Sequence, residues 1–182
     1  MRVTRLLQLV RNRRPVRRFA DRALQADLIE GVLEAARYAP SAKEAQPWRF
    51  IVMQEALARH QIAAAAFNHP HARTAPVLIL CCARIHSHIS GSGRASFPID
   101  LAAAMQTMAI AAADLGLHTS WISGFRESQV RSIVGIPNDV PIVGILGLGY
   151  PDGLEPLPER RAVEDVISWD RWQSGSPRRA LP

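Results

Sequence analysis

Residues 38–54, YAPSAKEAQPWRFIVMQ, join a predicted helix to a predicted strand through a loop that contains two prolines. Pro40 and Pro47 fix their own φ angles and cannot extend a helix, so the backbone between them is stiff. The apolar run that follows predicts a strand over residues 49–53. A stiff polar loop at this junction is either an ordinary connection or a place that holds a flat ligand.

The length and composition of the chain indicate a folded protein. Its 182 residues can bury a substantial core, and we expect residues 1–182 to form a single domain. No apolar run reaches membrane-spanning length, and the N-terminus lacks a small-residue cleavage site, so we expect a cytoplasmic protein without a membrane partner. The adjacent Cys81 and Cys82 form a poor disulfide framework, which agrees with a reducing compartment.

Hydrophobic periodicity predicts alternating helices and strands, as in an α+β or α/β sandwich. The helices are predicted over residues 3–10, 28–36, 55–66, 101–113 and 127–134, and the strands over 49–53, 75–82, 118–122 and 142–150. Asp100 is the predicted cap of the fourth helix. A polar Gly/Ser-rich loop spans residues 85–97, and residues 151–182 are rich in proline and arginine. We expect residues 151–182 to leave the domain as an arm that packs on another surface.

The fourth predicted helix is unusual because residues 101–113 contain no charged side chain. A helix that is apolar on nearly every side must be buried, either within the domain or at a subunit interface. At thirteen residues, the run is too short to cross a bilayer.

The net charge of +6 is carried almost entirely by arginine, since Lys43 is the only lysine. Five arginines fall within residues 11–18, and a second pair, Arg160 and Arg161, lies in the arm. Arginine binds phosphate oxygens in pairs and stays charged, so the pattern favours phosphate, nucleic acid or an acidic cofactor. A solvated basic surface is the simpler explanation. A single-strand nucleic-acid site would need interleaved aromatic residues that this cluster lacks.

Other chemical motifs are absent. The candidate metal ligands His69, His71, His86, His88 and the two cysteines have spacings that match no standard zinc site, so we expect no metal. The glycines do not form the G-x-G-x-x-G of a dinucleotide fold, and G-x-S-x-G does not occur. With no evident nucleophile or acid–base pair, a cofactor is expected to carry the chemistry.

Five motifs together resemble the nitroreductase family of FMN-dependent oxidoreductases, over residues 11–161. They are RRPVRRF (13–19), APSAKEAQPWRFIV (39–52), LGLHTSWISGF (115–125), IPNDVPIVGILGLGYP (136–151) and LPERR (157–161). The resemblance implies a three-layer α-β-α sandwich of the α+β class, with a mixed, mainly antiparallel sheet. It also implies a homodimer that holds two FMN molecules between its subunits, with residues 101–113 as the central interface helix.

The resemblance assigns flavin contacts to particular residues. Arg13 and Arg14 correspond to basic residues near the ribityl phosphate, and Arg17 to a cation at the pyrimidine edge of the ring, where positive charge stabilises the anionic reduced flavin. The C-terminal phosphate clamp corresponds to Arg161, with Arg160 as a further candidate. The other implied contacts are Pro40, Ser41, Ala42 and Glu44 from the partner subunit, Asn68 at the pyrimidine ring, Asp100, and Ser123 and Gly124, where a backbone N–H meets flavin N5.

Three residues depart from the family pattern. Pro15 stands where many members have a serine that binds the phosphate, Glu44 replaces a usual asparagine, and Glu159 stands where some members have a lysine. The chain is also shorter than the larger nitroreductases around residues 85–97, which would cover the substrate face.

The resemblance implies hydride transfer from NAD(P)H through flavin N5 to a nitroaromatic, quinone or similar small-molecule acceptor, by a ping-pong mechanism. Two alternatives remain open at this point. A flavin-binding or storage protein would hold FMN without turnover, and a basic nucleic-acid-binding module would hold no flavin.

Overall fold

The computed structural model describes residues 4–84, 89–91 and 93–172. The helices are α1 (Arg5–Asn12), α2 (Ala26–Arg37), α3 (Ala56–Ala65), α4 (Pro70–Arg73), α5 (Phe97–Asp114) and α6 (Glu127–Val134). The strands are β1 (Trp48–Met53), β2 (Val77–Ala83), β3 (His118–Ile122) and β4 (Ile142–Gly149). Two short 3₁₀ turns cover Ala42–Glu44 and Val163–Asp165.

The four strands form one sheet in the order β1-β2-β4-β3. All three pairings are antiparallel, so the parallel pairing of the expected mixed sheet is absent from the strands described here. Every residue of β2 is buried, which confirms the prediction of a buried strand from its continuous apolar run.

Alternate residues of β2 face two separate helical layers. Val77, Ile79 and Cys81 pack in a core cluster with residues of α2 and α5. Leu78 and Cys82 pack in a second cluster with residues of α3 and α6. The fold is therefore the predicted three-layer α-β-α sandwich of the α+β class, and the two cysteines point to opposite faces of the sheet.

Helix α5 begins four residues earlier than predicted, at Phe97, with Pro98 in its first turn. Proline is tolerated there because its missing N–H would have no helical partner. The residue before the helix is Ser96, so the assignment of Asp100 as the cap is wrong. Asp100 lies inside the first turn, and its carboxylate accepts a hydrogen bond from the Ala42 N–H at 2.9 Å.

One face of α5 packs in the core and the other remains partly open in the single chain. Leu101, Ala104 and Met108 are buried, whereas Ile99 is 72% exposed and Ile110 is half-buried. From Leu101 to Ala113 this face carries no charge, and the charged Asp114 lies at its C-terminal end, paired with Arg5. An exposed uncharged surface of this kind is typical of one that another protein surface covers.

The described part of the predicted arm, residues 152–172, is exposed throughout. It includes several exposed apolar side chains: Leu154, Leu157, Val163, Val166, Ile167, Trp169 and Trp172. Among the residues that the structure describes, no helix is both long enough and apolar enough to span a membrane.

Candidate functional site

The arginine segment, residues 13–19, is held against the body of the protein by its two apolar side chains. Val16 and Phe19 are each 3% exposed and belong to the same core cluster as β2. The Phe19 N–H donates to Thr74 Oγ1 at 2.9 Å, and the Ala20 N–H donates to the Tyr150 carbonyl at 2.9 Å. These anchors fix the backbone from Val16 to Ala20, so Arg17 and Arg18 emerge from a rigid base, and Arg13 and Arg14 lie directly before it.

Arg13 and Arg17 line a cavity of about 340 Å³ beside β3. The other lining residues are Pro15, Val16, His71, Gln106, Thr119, Ser120 and Trp121. Two cations therefore meet hydroxyl, amide and aromatic side chains in a single concave space. Such a mixture suits an anionic ligand with a flat ring system.

Arg14 points to a neighbouring cavity of about 270 Å³, which Arg17 and the start of the arm also line. Its Nη1 donates to the Glu155 carbonyl oxygen at 2.6 Å, and its Nε is buried without a hydrogen-bond partner among the described residues. The exposed ion pair between Arg18 and Asp152, at 3.7 Å, lies on the same side. The arm thus leaves the body beside the arginine segment.

Two further segments lie together near the end of α3: the turn at Phe67 and Asn68, and residues 123–124. Phe67 and Asn68 both have left-handed backbones, with φ of 58° and 55°. A Cβ placed on Gly124 would lie 4.0 Å from the Phe67 ring, so residues 123–124 lie beside this turn. The Arg126 guanidinium lies 4.7 Å from the centre of the Phe67 ring, and the backbone N–H of Arg126 donates to the Ala65 carbonyl. The turn that contains Asn68 therefore lies close to Gly124, although Asn68, Ser123 and Gly124 were predicted as site residues separately.

Three aromatic rings connect this turn to the cavity of Arg13 and Arg17. The Phe67 and His69 rings meet edge to face at 6.5 Å, and the His69 and His71 rings stack at 5.3 Å with 7° between their planes. Burial, followed by His69 and then Arg17, lowers the pKa of His71. Burial, followed by the charge of Arg14, likewise lowers the pKa of His118. Both histidines thus sit in surroundings that already disfavour further positive charge.

The loop of residues 40–46 does not line the cavity of Arg13 and Arg17. It lies against the start of α5, where Ala42 meets Asp100, whereas the cavity touches Gln106 on the same helix. Six helical residues separate these points by about 9 Å along the axis. Within one chain, Pro40, Ser41, Ala42 and Glu44 therefore form a separate region from Arg13, Arg14 and Arg17. The assignment of these four residues to a partner subunit's site stays a prediction.

Arg160 and Arg161 are exposed on the arm and do not line the cavity in the single chain. Their predicted role as a phosphate clamp stays a prediction. His86 and His88, considered above as metal ligands, lie outside the described residues. Among the described residues, no group of three or more His, Cys, Asp or Glu side chains could hold a metal ion.

Sequence reasoning missed several lining residues, including His71, Gln106 and Thr119. The available signal was the FNHPHAR run, in which two histidines flank a proline directly after Asn68. Gln106 could have been noticed as one of two polar residues in the uncharged helix. Thr119 is 2% exposed, and its Oγ1 has no hydrogen-bond partner within the described part of the chain.

Comparison with known proteins gives the family. The model of the nitroreductase family matches residues 10–69 and 55–150, which together span more than half of the chain. The chain belongs to the nitroreductase family.

Individual relatives agree with this assignment over nearly the whole chain. A protein of Archaeoglobus fulgidus, provisionally named NADH dehydrogenase/NAD(P)H nitroreductase, is 30% identical over 173 residues, with 91% of this chain and 98% of the relative covered. The FMN reductase (NADPH) of Bacillus subtilis is 25% identical, with 86% and 71% covered. The crystal structure of a nitroreductase family protein from Clostridium difficile has a TM-score of 0.82 and 25% identity, with 91% and 98% covered.

The cavity of this nitroreductase family member fits a phosphorylated ring cofactor. Among the described residues, three buried polar atoms in this region have no hydrogen-bond partner: Thr119 Oγ1, on a residue that lines the cavity, Arg14 Nε, on a residue that lines the neighbouring cavity, and His118 Nδ1, on the residue before Thr119. Buried polar atoms are normally paired, so atoms like these indicate a site that a polar ligand completes. The arginines supply charge for a phosphate, and the uncharged hydrogen-bonding groups suit a heterocycle.

Proposed function

We propose that the protein is an FMN-dependent oxidoreductase that uses NAD(P)H to reduce a nitroaromatic, quinone or similar small molecule. The observation that carries the proposal is the cavity in which Arg13 and Arg17 meet the half-buried His71 and the partnerless Thr119 hydroxyl. When bound, FMN supplies hydride-transfer chemistry, accepting from the nicotinamide and donating to the acceptor in alternating half-reactions.

The family and the named relatives support the reaction class. The nitroreductase family is a family of oxidoreductases. The relatives include proteins named for NAD(P)H nitroreductase and for FMN reductase (NADPH) activity, which supports a nicotinamide donor and a flavin. The free, buried cysteines agree with a reducing compartment, which supports the cytoplasm as the location.

Arg13, Arg14 and Arg17 would hold the anionic end of the cofactor and the edge of its ring. Arg17 lines three adjoining cavities, so its guanidinium can reach the place where negative charge accumulates. A cation there favours the more anionic form of whatever is bound. Arg14 already donates to Glu155, which orients it while leaving its Nε available for the ligand.

Residues at the end of α3 would position the ring. Asn68 follows Phe67 in a left-handed turn, and the Phe67 ring lies beside Gly124. The backbone N–H of Ser123 is the group we assign to flavin N5. A backbone donor moves less than a side chain, so it fixes the orientation of the reactive edge.

A homodimer would complete the site from the partner's side. The face of α5 that is uncharged from Leu101 to Ala113 and the exposed apolar residues of the arm are surfaces that a partner subunit would cover. We assign the partner's Pro40, Ser41, Ala42 and Glu44 to the far side of the ring, and its Arg160 and Arg161 to the phosphate. An obligate interface of this kind buries more than about 2,000 Å².

Two measurements test the proposal. The purified protein should carry one FMN per chain, with a yellow visible spectrum that bleaches when NADPH or NADH is added without oxygen. A yellow preparation that neither donor bleaches would indicate a storage protein instead. A protein that stays colourless after incubation with FMN would contradict flavin binding altogether.

Sedimentation velocity tests the assembly separately. We expect a dimer at all micromolar concentrations, because the open face of α5 has no charged residue between Leu101 and Ala113 to keep it solvated. A stable monomer at those concentrations would rule out the shared site and leave residues 40–46 without a role in flavin binding.

A further inference from the structure

We propose that Asp100 is a positioning residue that holds the loop of residues 41–46 in its left-handed conformation before any cofactor binds. The proposal rests on the proposed function in one respect, which is that this loop lines a flavin site.

The carboxylate of Asp100 connects α5 to this loop from a buried position. Asp100 is 5% exposed, lies in the first turn of α5, and accepts the Ala42 N–H through Oδ1 at 2.9 Å. Negative charge in the first turn of a helix is stabilised by the helix dipole. A hydrogen bond from a backbone N–H to such a carboxylate is stronger than one between neutral groups.

The loop adopts an unfavourable backbone conformation that needs this support. Lys43, Glu44 and Gln46 have φ of 52°, 54° and 44°, a region that residues with a Cβ rarely occupy. Such residues persist only where the surrounding structure constrains them. Three left-handed residues within four positions, none of them glycine or asparagine, are therefore a sign that something holds the loop.

The hydrogen bonds of the loop show where that constraint comes from. The Gln46 N–H donates to Ser41 Oγ at 3.0 Å, and the Glu44 and Ala45 N–H groups donate to carbonyls of Ser41 and Ala42 at 3.1 Å each. These bonds are internal to the loop. The bond from Ala42 to Asp100 joins the loop to a helix 58 residues away in sequence, so it ties the loop to the body of the protein.

The second carboxylate oxygen supports a role beyond packing. Asp100 Oδ2 is buried and has no hydrogen-bond partner among the described residues. A buried carboxylate that is only half satisfied destabilises a fold, and such groups recur at functional positions. An apolar residue would pack at this point of α5 without that cost, but it could not hold Ala42.

The chain offers an unusually specific probe of the loop, because Lys43 is its only lysine. A lysine-specific endoprotease can therefore cut this sequence at one bond, between Lys43 and Glu44, in the middle of the left-handed run. Cleavage requires the loop to leave its folded conformation. The native cleavage rate, divided by the rate for the same variant unfolded in urea, therefore reports how often the loop opens.

We expect Asp100→Ala to raise this normalised rate about ten- to a hundredfold in the cofactor-free protein, because it removes a charge-assisted bond. Asp100→Asn keeps an oxygen that can accept the Ala42 N–H, so its rate should stay within about threefold of wild type. The matched control is Ser96→Ala. It removes another polar group at the start of α5, one that is buried, has no hydrogen-bond partner among the described residues and does not bond the loop, so it should leave the rate unchanged.

A variant of the donor in the Ala42–Asp100 hydrogen bond keeps the test valid if Asp100→Ala misfolds. Ala42→Pro removes the N–H itself, and the extended Ser41, with ψ of 153°, suits a residue that precedes proline. It should also raise the normalised rate at least about tenfold. If Ala42→Pro and a folded Asp100→Ala are both cut at the wild-type rate, the positioning role is wrong. Equally fast cleavage of Asp100→Asn would mean that charge in the helix, rather than the bond to the loop, is what matters.

Adding FMN separates this inference from the proposed function. Saturating FMN should slow cleavage of the wild type and partly restore protection in Asp100→Ala, because a bound ring covers the loop. If Asp100→Ala opens the loop but FMN protects neither protein, Asp100 holds the loop, and the assignment of that loop to the flavin site is overturned.

Discussion

The arginine segment (residues 13–19) and the loop of residues 40–46 were both predicted to bind one cofactor, yet the fold supports them in different ways. The arginine segment is fixed by two side chains that are each 3% exposed and part of a core cluster. The loop has no buried residue of its own: it lies between the buried Ala39 and Pro47, and it depends on hydrogen bonds and a left-handed backbone. The arginine segment is therefore fixed by contacts within one chain. The loop of residues 40–46 is an exposed surface, as expected of a segment that contacts another subunit.

The largest expected effect tests the rigidity of the arginine segment. Phe19→Ala should lower the free energy of unfolding by about 3–5 kcal/mol, because it empties a packed position in the core. The position is tight: a Cβ on Gly149 would lie 2.9 Å from the Phe19 ring. Urea denaturation followed by circular dichroism measures the change.

The control for this substitution is an aromatic residue next to the loop. Tyr38 precedes Pro40 and is 76% exposed, so Tyr38→Ala should change the free energy of unfolding by less than about 0.5 kcal/mol. Similar losses in the two variants would mean that the loop is built into the core as firmly as the arginine segment, and the contrast drawn above would fail.

Next in size is the effect on FMN binding. Arg13→Ala should weaken FMN binding by about 1.5–3 kcal/mol, or roughly ten- to a hundredfold, because it removes a charge-assisted contact from a rigid base. Arg161→Ala should have a similar effect if the arm of one chain reaches the cavity of its partner. Quenching of flavin fluorescence on titration gives both dissociation constants.

A control variant with the same change in charge distinguishes a direct contact with FMN from the effect of the protein's overall positive charge. Arg37→Ala removes the same charge from an exposed ion pair with Glu34, away from the cavity, so FMN affinity should be unchanged. Wild-type affinity in both Arg13→Ala and Arg161→Ala would show that neither residue holds the phosphate.

A smaller effect concerns pH, since histidines face the arginine segment whereas the loop of residues 40–46 has none. The pKa of His71 and the pKa of His118 are both lowered in the fold, mainly by burial. As the pH falls through the ordinary histidine pKa of about 6.5, the unfolded chain takes up protons that the folded chain does not. Stability is therefore full above that pH and declines below it.

Urea midpoints at pH 7.5 and 5.5 check this pH dependence. We expect a lower midpoint at pH 5.5, and a smaller decline in a His71→Gln/His118→Gln double variant. An unchanged decline in the double variant would assign the acid sensitivity to other groups.

Apolar periodicity predicted most of the helices and strands because it reports directly on burial, whereas the three layers were implied by the family resemblance. The division of the core into two clusters was not predicted. The bounds of β3 and α6 agree with the predictions to the residue. The start of α5 was missed because Pro98 and Asp100 resemble a break and a cap, although both are compatible with a first helical turn.

The conformation of the loop could not be predicted from its residues. Glycine and asparagine are the residues that usually predict a left-handed backbone, and the left-handed positions here are Lys43, Glu44 and Gln46 instead. The constraint comes from Asp100, which is distant in sequence and was interpreted as a local cap. The role of His71 was missed for the same kind of reason, because its partners Arg17 and Trp121 meet it only in the folded chain.

The smallest expected effect concerns Glu44, where the loop departs from the family pattern. If its carboxylate lies near the flavin of the partner subunit, it opposes the negative charge that reduction adds and lowers the midpoint potential. Glu44 is exposed, so solvent and the neighbouring Lys43 screen this charge. Glu44→Asn should therefore raise the FMN midpoint potential by no more than about 20 mV.

The structure adds a second consequence of Glu44→Asn that must be separated from the first. Asparagine tolerates the φ of 54° at this position better than glutamate does, so the variant also relieves backbone strain. Glu44→Gln removes the same charge and keeps the strain. Equal potentials in the two variants, both above wild type in spectroelectrochemistry, would assign the shift to charge. A rise in Glu44→Asn alone would assign it to the conformation of the loop, and a potential that falls or stays constant in both would leave Glu44 as a surface residue.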